Sequence, residues 1–250
     1  MHPIRKTLIS WVVLLTAAVS ACAAEPLRLN SGVSDPYFQP GKKGFLELLI
    51  PEIFKRIGVE AEAVQYMASE RAMINANNGI DDGIALRIKG LEKSYPNLVR
   101  VEEKIIDNEF VAFSIRHAFA TTSFDTLRGH QVGYINGWKV FETNLPADIA
   151  TTKVQDVTQL FNLLANDRAD IVLYERWQGE HVVSKHDIKA TMLRPPLVTT
   201  EMFMYLHKKH AHLAEPAAQA LRRMKSDGSY QRIAAQTLPP QPVHATGKKH

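Results

Sequence analysis

The chain has only one cysteine, Cys22, among its 250 residues. A single thiol cannot form a disulfide within one chain, so stability has to come from a hydrophobic core. Aromatic residues are sparse at 8%, and the formal net charge at pH 7 is only +4. No basic stripe with interleaved aromatic residues occurs, which argues against a nucleic-acid-binding protein.

Several sequence motifs of enzymes are also missing. The chain contains no G-x-G-x-x-G, P-loop, G-x-S-x-G or H-E-x-x-H sequence. These absences exclude the dinucleotide-binding, P-loop, α/β-hydrolase and zinc-protease types that depend on them. Long apolar runs are lacking too, because the one at residues 8–19 is shorter than the roughly 20 residues that span a membrane.

The N-terminal segment has the organisation of an export signal. Arg5 and Lys6 precede the apolar run, and small residues follow it at 21–24 before Glu25. A basic start, a short apolar stretch and a small-residue end are typical of a secretory signal peptide, so we expect residues 1–24 to be removed and the protein to reach the periplasm.

Cys22 allows two forms of the exported protein. The sequence Val19-Ser20-Ala21-Cys22 resembles a bacterial lipobox, which would make Cys22 a lipidated first residue. Cleavage after Ala23 or Ala24 would instead release a soluble protein without cysteine. We favour the soluble form, and the lipoprotein remains the alternative.

The remaining sequence has ordinary globular composition, with 45% apolar and 22% charged residues. Apolar periodicity and turn residues predict an α/β protein with parallel sheets and crossover helices. The predicted strands are 27–30, 59–66, 82–87, 98–101, 105–115, 131–135, 170–174, 188–193 and 197–206. The predicted helices are 45–57, 69–78, 123–127, 137–144, 157–164, 176–183, 216–225 and 229–236. Pro51 predicts a kink or a late start in the first helix.

Two stretches of the chain share the same predicted order of structural elements. Residues 75–87 and 164–175 each run from a helix end through polar residues into an Asp-led apolar strand, and they end at Arg87 and Glu175. Ligands of open α/β sheets bind beyond the carboxyl ends of strands. The repeat therefore predicts two similar lobes, one presenting a cation and the other a carboxylate to a cleft.

Short motifs across residues 25–236 resemble the bacterial extracellular solute-binding proteins of family 3, the polar amino acid type. The motifs are Gly44-Phe45, Gly79 with Asp82-Gly83, Leu127-Arg128-Gly129, Val132-Gly133, Arg168-Ala169-Asp170 and 224–230. The resemblance implies the type II periplasmic binding protein fold, with two crossing segments and hinge closure on a small solute. It also implies a monomer that delivers the solute to an inner-membrane ABC permease, without a cofactor. We expect lobe 1 at 25–115, lobe 2 at 116–196, a return to lobe 1 at 197–237, and a disordered tail at 238–250.

The resemblance also suggests site residues, with departures. The arginine that usually binds the solute carboxylate would fall near Ser94 and Tyr95, where none occurs, so Arg87 or Arg71 would replace it. Glu175 follows Asp170 at the spacing of the family's acidic residue, which implies recognition of an ammonium group. It would otherwise serve as a helix N-cap.

Three further residues and a glycine complete the predicted site. Gly137 and Trp138 stand where the family receives an anion at a helix N-terminus, and Trp138 predicts a larger apolar wall. Tyr37 and Phe38, after the first strand, are candidates to stack on the solute, or they pack beneath their own loop.

Two other functions stay open. An enzyme on the same fold, similar to cyclohexadienyl or arogenate dehydratases, would need an acid and a base, and Glu175 with His181 or His186 is the best available pair. A ligand-sensing protein would dock on a membrane receptor instead of a permease. The histidine-rich stretch around His207 and His210 reads as a polar connection, so we predict no metal site.

Overall fold

A computed structural model of the chain describes residues 25–66 and 69–239, without the side chain of residue 69. The predicted signal peptide, Cys22 and residues 240–250 of the predicted tail lie outside this part. Among the described residues, no helix is both long and apolar enough to cross a membrane.

The described residues form nine strands and seven α-helices. The strands are β1 (Leu27–Ser31), β2 (Ala61–Gln65), β3 (Gly83–Ile88), β4 (Leu98–Ser114), β5 (Val132–Ile135), β6 (Thr151–Val154), β7 (Ile171–Glu175), β8 (Thr191–Met192) and β9 (Val198–His207). The helices are α1 (Phe45–Lys55), α2 (Ser69–Asn77), α3 (Lys139–Asn144), α4 (Val157–Ala165), α5 (Arg176–Lys185), α6 (Ala214–Ser226) and α7 (Ser229–Thr237). Short 3₁₀ turns lie at Leu91–Lys93, Phe124–Leu127 and Lys208–Leu213.

The strands make one continuous sheet in the order β2-β1-β3-β9-β4-β7-β5-β6, with β8 beside β4. The sets β2-β1-β3 and β6-β5-β7 are each parallel, and the two crossing strands β4 and β9 run antiparallel to their neighbours and to each other. Each parallel set carries its own helices, so the sheet is divided into two α/β lobes joined by β4 and β9. The predicted fold class is confirmed.

Each lobe has a separate hydrophobic core. In lobe 1 the apolar face of α1 packs with α6 on the sheet, and Phe45, Ile50 and Leu221 are fully buried. Lobe 2 has a core on each side of its strands, one around Phe161 under α4 and one around Phe141 under α3. Separate cores allow the lobes to move relative to each other as units.

The crossing strand β4 is longer than its sequence predicts. We expected two strands, 98–101 and 105–115, because the charged residues Glu102, Glu103 and Lys104 interrupt the apolar pattern. The structure has one strand, because β9 pairs with β4 from Leu98 to Phe110, and register shifts between Arg100 and Ile106 accommodate the charged residues. Backbone pairing therefore overrides local polarity here.

Other predicted elements are also corrected. Helix α1 begins at Phe45 and runs through Pro51, so the late start is wrong. The strand expected at 188–193 shrinks to β8, and the edge strand β6 was missed because its sequence Thr-Thr-Lys-Val has little apolar signal. Leu238, which we assigned to the tail, is buried in the lobe 1 core.

Candidate functional site

The two lobes meet where β7 ends and α5 begins. Glu175 is the last residue of β7 and the N-cap of α5, and it pairs with Phe110 of the crossing strand β4. The first turn of α5 packs on lobe 1 through Trp177, while Val182 and Val183 pack in lobe 2. This helix start therefore lies at the boundary between the lobes.

Glu175 is almost fully buried, with 1% of its surface exposed. Its carboxylate accepts the backbone N–H of Trp177 at 3.1 Å and that of Gln178 at 3.0 Å. The arrangement is an N-cap, which satisfies two backbone donors at the helix start. Burial raises the pKa of Glu175 to about 7, against the opposing effect of these hydrogen bonds.

Tyr37 connects lobe 1 to this carboxylate. The residue lies in the loop after β1, is fully buried, and packs edge-on against Phe45. Its hydroxyl lies 3.1 Å from Asn108 Oδ1 on β4 and 3.4 Å from Glu175 Oε1. Burial and the nearby Glu175 raise the pKa of Tyr37, so the phenol stays protonated and can donate to one of these two acceptors.

A second set of contacts closes the same loop onto α5. The hydroxyl of Ser34 donates to Gln178 Oε1 at 2.7 Å, and Asp35 Oδ2 lies 3.4 Å from His181 Nε2 and 3.3 Å from Lys185 Nζ. We call this group, Ser34 and Asp35 with Gln178, His181 and Lys185, the interlobe latch. The structure therefore shows the lobes in contact.

Arg87 lies next to the end of β3, opposite Phe203 of β9. Burial lowers the pKa of its guanidinium. The cation and the carboxylate expected from the sequence thus lie near the ends of strands in different lobes.

Trp138 belongs to an aromatic cluster between the crossing strand and lobe 2. Its ring stacks on Phe141 at 5.7 Å and lies 4.8 Å from Tyr174 and 6.0 Å from Phe110. The cluster is built from β4, the end of β7 and the start of α3. Phe141 and Tyr174 are buried in the cores of lobe 2, and the role of Trp138 as a wall beside a solute stays a prediction.

Gly137 has a left-handed backbone, with φ of +85°, just before α3. Its N–H donates to Glu142 Oε1 at 3.1 Å. The carboxylate of Glu142, whose pKa is lowered by the hydrogen bond from Lys139 and by this N–H, therefore occupies one donor that the resemblance assigned to a solute anion.

The other predicted residues lie in different surroundings. Arg71 is exposed in the first turn of α2, and Phe38 is buried in the lobe 1 core. Neither observation tests a role with solute, so both roles stay predictions. The pair His207 and His210 is a polar connection, as expected, because His210 Nε2 lies 2.7 Å from Asp82 Oδ1.

Sequence reasoning missed three residues of this region. Ser31 ends β1, and its buried Oγ has no hydrogen-bond partner among the described residues. Asn108 and Gln178 hold Tyr37 and Ser34 across the lobes. Gln178 could have been predicted from the sequence, since it lies in the first turn of the helix that Glu175 caps. Asn108 lies inside a strand, and no sequence pattern marks it.

No family model matches the chain. A relative from Shewanella oneidensis, described as an uncharacterized protein, is 28% identical over 147 residues; the match spans 56% of each chain. Among solved structures, the GluR0 ligand-binding core from Nostoc punctiforme in complex with L-glutamate has a TM-score of 0.68 at 18% identity. It is matched over 86% of this chain and 100% of its own.

Two further structures give the same result. An ancestral arginine-binding protein bound to arginine has a TM-score of 0.66 at 19% identity, over 86% of this chain and 99% of its own. A histidine kinase sensor domain with similarity to periplasmic binding proteins has a TM-score of 0.66 at 14% identity, over 86% of this chain and 96% of its own. The chain has the type II periplasmic binding protein fold.

Proposed function

We propose that the protein captures a small polar or zwitterionic solute, an amino acid or a derivative, between its two lobes and delivers it to an ABC importer. The main support is the buried junction in which Tyr37 of lobe 1, Asn108 of the crossing strand and Glu175 of lobe 2 meet. A junction of polar groups contributed by both lobes and the crossing strand suits a protein that closes on its ligand.

In this proposal, Arg87 binds the carboxylate of the solute from lobe 1, because a planar guanidinium pairs with carboxylates through two hydrogen bonds. Glu175, Tyr37 and Ser31 receive its ammonium or other donor groups. Trp138 supplies an apolar wall beside Gly137, and Arg71 and Phe38 act at the margin. The protein is exported to the periplasm after removal of residues 1–24, works as a monomer and needs no cofactor.

The first experiment is a thermal-shift screen against amino acids, their derivatives, polyamines and small organic acids, followed by titration calorimetry. A solute that binds only the folded protein stabilises it by about 2.7 kcal/mol at a hundredfold excess over Kd. We expect one chemical class to bind, and Arg87→Ala and Glu175→Gln to abolish binding.

The matched control is Arg168→Ala, because Arg168 is exposed in lobe 2. This variant should bind as the unmodified protein does. Binding that survives both Arg87→Ala and Glu175→Gln would contradict the proposed site, and the absence of any ligand in the panel would contradict the proposed solute class.

A sensing role is the second candidate, since one neighbour in fold is a histidine kinase sensor domain. The two roles differ in the partner of the closed form. Cells that lack the gene should lose uptake of the identified solute if the protein serves an importer. Retained uptake, together with a lost transcriptional response to the solute, would favour a sensor. A solute recovered unchanged after incubation with the protein would argue against catalysis in the cleft.

A further inference from the structure

A compact group of metal-binding side chains lies at the other end of lobe 2 from Glu175. His117, His130 and Asp170 each offer one ligand atom, and these atoms lie within 4.8 Å of one another. His117 Nε2 is 3.5 Å from Asp170 Oδ1, and the two imidazole rings are 4.6 Å apart. All three residues are half-buried.

Three separate backbone segments bring these side chains together. His117 follows the end of β4, His130 precedes β5, and Asp170 directly precedes β7. Asp170 is five residues from Glu175 along an extended strand, which is about 17 Å at 3.3 Å per residue. The group is therefore separate from the proposed solute site.

Hydrogen bonds hold the backbone at His117 and Asp170, and ring packing holds the side chain of His130. The backbone N–H of His117 donates to Ser114 Oγ. The Ser114 hydroxyl in turn donates to the backbone carbonyl of Asp170 at 2.7 Å. The ring of His130 stacks on Phe119, with centroids 5.1 Å apart and planes within 7°. Held ligands lose little conformational freedom when they bind an ion.

One carboxylate oxygen of Asp170 accepts a backbone hydrogen bond, and the other faces His117 and Arg116. Oδ2 accepts the backbone N–H of Gln131 at 2.8 Å. Oδ1 faces His117 and lies 3.4 Å from Arg116 Nη2. Arg116 is half-exposed, and its closer partner is Asp167, at 2.6 Å. A metal ion at Asp170 Oδ1 can therefore replace the Arg116 contact while Arg116 stays paired with Asp167.

We propose that His117, His130 and Asp170 bind one divalent transition-metal ion of the zinc type. Two imidazole nitrogens and one carboxylate oxygen form a ligand set that suits Zn²⁺, with bonds of about 2.0–2.2 Å and an open fourth position. Ligand atoms around such an ion are about 3.3–3.6 Å apart, so small side-chain rotations close the group onto the ion.

The bound ion joins the end of β4 to the starts of β5 and β7. It therefore stabilises lobe 2 rather than contacting solute. The pair His207 and His210 does not offer the same chemistry, because Asp82 Oδ1 already lies 2.7 Å from Lys209 Nζ as well as from His210.

The test is calorimetric titration of the tag-free full chain with Zn²⁺ after treatment with a chelator. We expect saturable binding of one ion and a raised melting temperature, with no comparable response to Mg²⁺, which prefers oxygen ligands. Mutating a residue that hydrogen-bonds to a metal ligand typically costs about 10- to 100-fold in metal affinity. His117→Gln and His130→Gln each remove a ligand itself, so each should weaken Zn²⁺ binding by more than this.

His212→Ala is the control, because His212 is exposed on the 3₁₀ turn of lobe 1. This variant should bind Zn²⁺ as the unmodified protein does. The imidazole NMR signals of His117 and His130 should shift on Zn²⁺ addition, which locates the ion independently of affinity. No saturable binding, or binding unchanged in both glutamine variants, would overturn the proposal; metal-free melting curves establish that the variants fold.

Discussion

At the scale of single residues, Glu175 combines two tasks that conflict. As an N-cap it accepts two backbone N–H groups, which favours the carboxylate, while its burial favours the protonated acid. Burial has the larger effect and raises the pKa from its ordinary value to about 7. The protonation state of this junction between the lobes therefore changes near neutral pH.

We predict that the stability conferred by Glu175 falls as pH rises from about 4.5 to 7. The folded protein holds a proton on Glu175 in this window while the unfolded chain has released it, so the folded state loses stability with rising pH. The shift corresponds to roughly 3 kcal/mol at most. Glu175→Gln, which resembles the protonated acid, should remove this contribution.

Urea unfolding at several pH values tests the prediction. The free energy of unfolding of the unmodified protein minus that of Glu175→Gln should decrease between pH 4.5 and 7. Other carboxylates titrate in both proteins and largely cancel in the difference. A difference that is flat across this range would mean that Glu175 ionises without cost.

At the scale of secondary-structure elements, the junction of β3 and β9 depends on a close backbone approach. Gly83 begins β3 opposite Leu206 of β9, and a Cβ atom at Gly83 would lie 2.2 Å from the carbonyl oxygen of Tyr205. That separation is too short for any side chain, so the strands would have to move apart. The absence of a side chain at Gly83 therefore allows β3 to pair with the crossing strand β9.

We predict that Gly83→Ala destabilises the protein by about 1–3 kcal/mol, the usual cost of overpacking. Denaturant unfolding measures the loss. Gly58→Ala is the comparison, because a Cβ there meets no atom within 4 Å but the residue has a positive φ of +74°. It should cost about 1 kcal/mol through backbone conformation alone. A smaller loss for Gly83→Ala than for Gly58→Ala would contradict the role of close approach.

At the scale of the whole molecule, the lobes are joined covalently only through β4 and β9, and they are held together by the interlobe latch and the Tyr37 junction. The latch is partly exposed, with 55% of the Lys185 side chain accessible. Exposed ion pairs contribute at most about 1 kcal/mol, so the latch is a weak closure that a bound solute can reinforce.

We predict that Gln178→Ala shifts the solute-free protein toward an open arrangement. The substitution removes the 2.7 Å hydrogen bond from Ser34 and the 3.3 Å hydrogen bond to Glu175, so the loop after β1 loses its main polar contact with α5. Small-angle X-ray scattering should show a larger radius of gyration. Gln219→Ala, on the exposed face of α6 in lobe 1, should leave it unchanged, and equal values for both variants would show that Gln178 does not hold the lobes.

The sequence by itself determined the alternation of strands and helices, because apolar periodicity and glycine or proline punctuation act locally. It also placed Arg87 and Glu175 at or near the ends of strands. Resemblance of short motifs was sufficient for the fold because their order follows the order of the elements.

Only the tertiary structure decided which side chains meet. The contact of Tyr37 with Asn108 and Glu175 joins residues 71 and 138 positions apart, and no local pattern encodes it. The continuity of β4 required its partner β9, and the grouping of His117, His130 and Asp170 required three strands to be placed side by side. Local propensity specifies elements, whereas burial and pairing between distant segments specify the sites built from them.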